Sequence, residues 1–162
     1  MLVVNIPPAI ATQPVGLTIE KGRSAVFTVE ASGTAPFTYQ WQHDGVGIDG
    51  ATGETLTIDS VDAADDGDYA VIVQSSYGAV VSESATLNVL LPLEITVQPK
   101  DTHVAIAATL NMSVVVSGSG PYAYQWYYGS KKIEGATGSG LEITGMVRAN
   151  SGTYHVKVSN SI

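Results

Sequence analysis

The sequence predicts an all-β chain of two tandem Greek-key sandwiches, the second lacking its final strand, and three observations lead there. Sliding the chain against itself by 85 residues aligns positions 2–77 with 87–162 without a gap. "TYQW" at 38–41 then meets "AYQW" at 123–126, "GATGETLTID" at 50–59 meets "GATGSGLEIT" at 135–144, and "PPAIATQP" at 7–14 meets "PLEITVQP" at 92–99. A fixed period of this kind marks a repeated structural unit. Within each copy, short runs rich in β-branched and aromatic residues alternate with turn residues about every 8–12 positions, the spacing of a sandwich. No stretch carries a helical period, and the 17 glycines supply turns.

The period assigns residues 1–6 to the tail of a preceding repeat's last strand, 7–91 to a first domain and 92–162 to a second, C-terminally incomplete one. The junction at Leu91-Pro92 contains no Gly or Ser, so a semi-rigid joint is expected.

Strand by strand, alternation names the core. "SAVFTVEA" at 24–31 sends Ala25, Phe27 and Val29 to one face, and its partner sends Leu110, Met112 and Val114 there. "FTYQWQ" at 37–42 turns Trp41 and Tyr39 inward and leaves Gln40 and Gln42 outside. "HDGV" at 43–46 carries the Asp-Gly pair of a tight hairpin. "TLTID" at 55–59 buries Leu56 and Ile58, and "DYAVIVQ" at 68–74 buries Tyr69, Val71 and Val73.

An inward Trp on the third strand followed by D-x-G-x-Y, matched fully by Asp65, Gly67 and Tyr69 and with Asn for Asp by Asn150, Gly152 and Tyr154, resembles the I-set immunoglobulin domain. The resemblance covers nearly the whole chain. The string "FTVEASGTAPFTYQW" with "GATG" and "TLTI" is most similar to the cysteine-free immunoglobulin-like repeats of bacterial secreted and surface proteins. It implies that the phenols of Tyr69 and Tyr154 cap backbone groups upstream, as in a tyrosine corner. It also places the family's disulfide positions on Val29 and Val71, and on Val114 and Val156. A bridge is worth about 2–4 kcal/mol, and burial of each valine returns roughly 1.5 kcal/mol or more.

Composition narrows the chemistry. A formal net charge of -8 disfavours a nucleic-acid partner. No apolar stretch approaches the roughly 18–20 residues of a bilayer span, and "MLVVNIPPAI" lacks the basic start of a signal peptide, so Met1 reads as a start placed on a fragment. The absence of cysteine excludes thiol catalysis and Cys-ligated zinc. His43, His103 and His155 fall in separate strand contexts without metal or general-base spacing. No catalytic, cofactor-binding or metal residue is therefore assigned, no cofactor is expected, and the chain reads as non-enzymatic. Asp62, Asp65, Asp66 and Asp68 offer hard oxygens for calcium, but solvated turn carboxylates are the better reading, because the second copy keeps only Asn150. "PYAYQWYYG" at 121–129 leaves Tyr127 as its one clearly outward ring, thin support for a glycan platform, and "NMS" at 111–113 is a glycosylation sequon.

The copies differ at their ends. "YAVIVQSSYGAVVSESATLNVL" at 69–90 continues through a turn at Tyr77-Gly78 into a last strand with Ala85, Leu87 and Val89 inward, whereas "YHVKVSNSI" at 154–162 has no such continuation. In this fold the last strand pairs with the strand before it and with an early strand, near 100–106 in the second copy, so its absence opens two edges. As an isolated monomer the second module is expected to be unstable. Tyr154, Val156 and Val158 are the candidate strand-docking edge; Leu2 and Val4, in register with Leu87 and Val89, are the candidate strand donors. The chain is expected to be a window on a continuous array or a subunit that takes up a neighbour's strand. The function expected is that of an extracellular or cell-surface structural or adhesion module, a spacer, stalk or fibre subunit. Its expected partners are other copies or adjacent immunoglobulin-like domains, with a cell-surface protein or glycan as a further option. The alternative is a polysaccharide-binding accessory module of a secreted enzyme.

Overall fold

The computed structural model describes residues 4–162, which divide into two units at Leu91/Pro92. Leu2 lies outside the described residues. The first unit contains β1 (Ala9–Thr12), β2 (Leu17–Glu20), β3 (Ala25–Thr28), β4 (Glu30–Ser32), β5 (Thr38–His43), β6 (Val46–Gly47), β7 (Thr55–Ile58), β8 (Gly67–Ser75), β9 (Gly78–Val81) and β10 (Ala85–Leu90). One layer holds the pairs β1–β4 and β3–β7; the other runs β2-β10-β8-β5-β6, with β9 also on β8. Every pairing is antiparallel except β2 with β10.

Alternation puts Phe27, Trp41 and Tyr69 between the layers, all but fully buried. Phe27 stacks on Tyr69 with ring centroids 4.9 Å apart and lies 6.2 Å from Trp41. Val29 and Val71, at the positions of the family's bridge, are both buried in the same core. The Trp41 indole N–H donates to the Gly53 carbonyl at 3.0 Å, so the largest core side chain buries no orphan donor. Asp44 and Gly45 between β5 and β6 have φ of 49° and 79°, the pair of positive angles that a two-residue type I′ hairpin requires.

The second unit repeats this plan with β11 (Glu94–Val97), β12 (Leu110–Ser113), β13 (Val115–Ser117), β14 (Ala123–Tyr128), β15 (Lys131–Lys132), β16 (Gly140–Ile143), a short 3-10 turn at Arg148–Asn150 and β17 (Tyr154–Ser159). Its pairs β11–β13 and β12–β16 form one layer, and β15-β14-β17 the other. Trp126 is fully buried, and its indole N–H donates to Gly138 at 3.0 Å, as Trp41 does to Gly53.

Two details repair what alternation alone misreads. Gln40 and Gln125 are half-buried, and their amides donate to the carbonyls of Trp41 and Ile48, and of Trp126 and Ile133, pinning each hairpin to its tryptophan strand. The expected turn at Tyr77-Gly78 sits one residue earlier, over Ser76 and Tyr77, and Gly78 opens β9.

The tyrosine corner forms in both units, with Tyr69 Oη donating to Asp65 O at 2.8 Å and Tyr154 Oη to Asn150 O at 2.9 Å. The Asp-to-Asn change is harmless here, because only an acceptor oxygen is used: Asp65 Oδ2 takes the Asp62 N–H at 2.8 Å and Asn150 Oδ1 takes the Val147 N–H at 2.9 Å. The glycine of the motif clears space for a ring. A Cβ on Gly67 would lie 2.5 Å from His43 Nε2, and one on Gly152 would lie 2.5 Å from the Tyr128 ring.

Trp41→Ala should cost roughly 3–5 kcal/mol in denaturant unfolding, the range of a large-to-small core change. Burial, with the Glu54 hydrogen bond for Tyr39 and the nearby Asp65, Asp44 and Asp66 for Tyr69, pushes both phenols from 10.0 up to about 12. The folded state therefore keeps these protons to higher pH than the unfolded chain. That stabilisation is complete below pH 10 and is lost as pH rises toward about 12. Melting curves taken across this window should fall, and Tyr39→Phe should flatten the fall.

Candidate strand-docking site

In the first unit β10 is held from both sides. It pairs antiparallel with β8 from Ala85↔Tyr69 to Leu87↔Gly67, and parallel with β2 from Leu87↔Leu17 to Leu90↔Glu20. Two carboxylates fasten it further: Asp66 Oδ2 accepts the Val89 N–H at 2.9 Å and Asp68 Oδ1 accepts the Thr86 hydroxyl at 2.6 Å. The other two members of the acidic cluster close their own turn, Asp62 accepting from Ala64 N–H and Asp65 from Asp62 N–H. Backbone and hydroxyl donors thus occupy all four carboxylates. Between β9 and β10 the chain breaks at Ser82, whose N–H donates to Val71 O at 2.9 Å and whose Oγ accepts the Val71 N–H at 3.0 Å. The last strand is therefore two pieces joined by a serine that keeps the ladder satisfied.

In the second unit the corresponding place is open. β17 pairs over its whole length with β14, from Tyr128↔Tyr154 to Ala123↔Ser159, and has no other strand partner among the described residues. Trp126 donates its N–H to Ala136 and accepts from Ile133, so neither group turns to Val156 across the sheet. Antiparallel alternation then points the backbone N–H and C=O of Tyr154, Val156 and Val158 toward the open edge. The early strand expected near 100–106 does not form: residues 98–109 carry no strand, and Val104 and Ile106 are exposed. Its counterpart β2 pairs with β10, and among the described residues of the second unit no strand stands in the place of β10.

What remains is a groove of about 640 Å³, whose lining includes Thr102, Val104, Leu110, Met146, Arg148 and Tyr154. Tyr69, Val71 and Val73 are at most 1% exposed beneath the last strand, whereas Tyr154, Val156 and Val158 are only half-buried. The floor is also remade. Leu110 stands where the first unit has Ala25, Met112 for Phe27 and Met146 for Val61, and all three line the groove. Ser151 and Thr153 replace the fastening carboxylates Asp66 and Asp68.

The edge residues Tyr154, Val156 and Val158 thus lie together on one strand beside the groove, while the donor candidate Val4 is exposed and outside any strand. The groove floor, Ser82 and the Asp66 and Asp68 fastenings carry no signal in the sequence; the edge itself does, because "ATLNVL" at 85–90 has no second copy in the 162 residues. Amide hydrogen exchange should report the open edge, with Val156 exchanging much faster than Val71. Equal protection of the two would contradict it.

Comparison with known proteins agrees with this architecture. Residues 7–75 match the Immunoglobulin domain family. Endoglucanase C of Cellulomonas fimi is 28% identical over 98% of the chain and 15% of its own length. Cell adhesion molecule DSCAML1 of Gallus gallus is 28% identical over 84% of the chain and 7% of its own, and Roundabout homolog 1 of Rattus norvegicus is 30% identical over 74% and 8%. The chain therefore spans less than a sixth of the length of each of these relatives. Among solved structures, an I-band fragment of titin superposes with a TM-score of 0.69 at 23% identity, covering 96% of this chain and 61% of that one. The two-domain IG1+IG2 fragment of DIP-gamma superposes with a TM-score of 0.78 at 17% identity, covering 95% and 90%. The chain carries the immunoglobulin-like sandwich fold twice in tandem, with an immunoglobulin domain family match over residues 7–75.

Proposed function

We propose that this chain is a non-catalytic extracellular structural or adhesion module, of the I-set-like and cysteine-free bacterial kind, whose second unit accepts a β-strand along β17. One observation carries the reading: the slot that β10 fills in the first unit is, in the second, an open groove lined by both apolar and polar side chains. Both units spend their polar groups on corners, caps and hairpin pins, which is the economy of a load-bearing or spacing element. The adhesion molecules among the relatives support a surface setting. Strand addition supplies main-chain hydrogen bonds for affinity and alternate side-chain pockets for specificity. Two large aliphatic residues such as Leu87 and Val89, at roughly 1.5–3 kcal/mol each, are a sizeable share of the ~5–15 kcal/mol that holds a domain folded.

A synthetic peptide with the sequence of residues 83–91, added to the chain, should shift the amide resonances of Tyr154–Ser159 and of residues 102–106 and leave those of β8 unmoved. Shifts at β8 alone, or none, would refute strand acceptance.

A second reading follows from the endoglucanase match, which spans the chain but little of that enzyme. In it the module is an accessory domain for polysaccharide binding. Tyr127 and His155 support it, stacked 5.0 Å apart and nearly parallel at 4°, with Lys132 as the cross-strand neighbour of Tyr127 on its other side. Co-sedimentation with insoluble cellulose tests this reading: retention that Tyr127→Ala abolishes without lowering the melting temperature would establish it over the adhesion role, and no retention would dismiss it.

A further inference from the structure

We propose that the outward face of β15-β14-β17 in the second unit binds an acidic polysaccharide, a chain bearing uronate carboxylates; this deepens the second reading above and rests on it for the sugar, though not for the charge. Register assembles the face. Tyr127 lies directly opposite Lys132 on one side and His155 on the other, and Gln125 lies opposite Lys157. Residues directly opposite in a ladder share a face, and so do His155 and Lys157, two apart on β17. Burial along β17 follows this phase: His155 and Lys157 are exposed, whereas Tyr154, Val156 and Val158 are half-buried against the core. Strands about 4.8 Å apart put Lys132 and His155 roughly 10 Å from each other with Tyr127 between them, and Lys157 lies roughly 7 Å along β17 from His155.

The charge on this face has one sign. β14, β15 and β17 contain no Asp or Glu, and Glu134 follows in the turn after β15. Among the described residues the ion pairs are Arg23 with Glu20 and His43 with Asp44, both in the first unit. No carboxylate of the chain is therefore in contact with Lys132 or Lys157, and the His155 imidazole adds an N–H donor beside them. A single exposed pair of charges gains little. Cations held in fixed register gain more from a polymer that presents carboxylates in series, because each contact raises the effective concentration for the next.

The first unit shows that the fold does not require these side chains. There the same face has Gln42 opposite Gly47 and Ala70, and Gln40 opposite Ile72. The frame is kept, while the stacked rings and both lysines are absent. Charge by unit points the same way: residues 1–91 hold eleven acids against Lys21 and Arg23, a net of -9, and 92–162 hold four acids against five bases, a net of +1. A polyanion is thus disfavoured by the first unit and matched by one face of the second. At physiological salt the Debye length is about 8 Å, so contacts made on the face outweigh repulsion from charges farther away.

The test compares retention of the chain on insoluble cellulose and on the same cellulose oxidised at C6 to the carboxylate. The half-saturating concentration should be on the order of tenfold lower on the oxidised form, as expected for a few exposed lysine–carboxylate contacts acting together, and the preference should shrink as salt is raised. Lys132→Gln with Lys157→Gln should bring the ratio to about one with the melting temperature unchanged, while Lys100→Gln, an exposed lysine off this face, should leave the preference as it is. Equal retention on the two forms, or tighter retention on the plain one, overturns the proposal and leaves the polysaccharide reading standing. Retention on neither overturns both. A preference that survives the double substitution, or that Lys100→Gln also removes, overturns the assignment to this face, as does a double substitution whose sole effect is on association between copies of the chain.

Discussion

The double pairing of β10 closes the first sandwich, and most differences between the two units lie around the place it occupies. In the first unit β10 pairs with the start of β8, gives β2 its one ladder among the described residues, and packs Ala85, Leu87 and Val89 into the core with Phe27 and Tyr69. In the second unit, where no such strand stands among the described residues, the β2 counterpart is unformed and the Tyr154 strand is half-covered. One element thus sets the local order of two others, because a parallel edge strand has no partner but the one beside it.

The remainder of each unit is nearly independent of the last strand. The tryptophan pin, the glutamine amide over the hairpin and the tyrosine corner recur with the same partners in both copies. These contacts are local or lie between β5, β7 and β8 and their counterparts, so an incomplete unit keeps its frame. A frame that is intact beside an open edge is what strand acceptance requires: the β17 backbone is already extended and fixed by β14, and little ordering entropy remains to be lost on its side.

Much of this was legible in the sequence because internal repetition works as a two-member alignment. Trp41 with Trp126 and Tyr69 with Tyr154 stand in register and in phase with the apolar alternation, and period two then assigns their faces. The open edge was legible for the same reason, as a missing copy of a segment seen once. Alternation sends Gln40 outward, since it gives a side chain's face but not the reach of a long amide back to its own strand's carbonyl. The Asp66 and Asp68 fastenings were illegible because the second copy has Ser151 and Thr153 there, and an acidic turn reads the same whether its carboxylates face water or a neighbouring strand. The groove floor depends on Met146 reaching in from the connection before the corner, a contact that no strand period encodes.

The central claim is the proposal that the slot beside β17 in the second unit takes up a β-strand, as the slot beside β8 holds β10 in the first. Scanning calorimetry of the chain, alone and with a saturating peptide of residues 83–91, tests it most directly. The account predicts two transitions, the lower one belonging to residues 92–162, with the peptide raising the lower and leaving the upper in place. A single transition that the peptide does not move would contradict it.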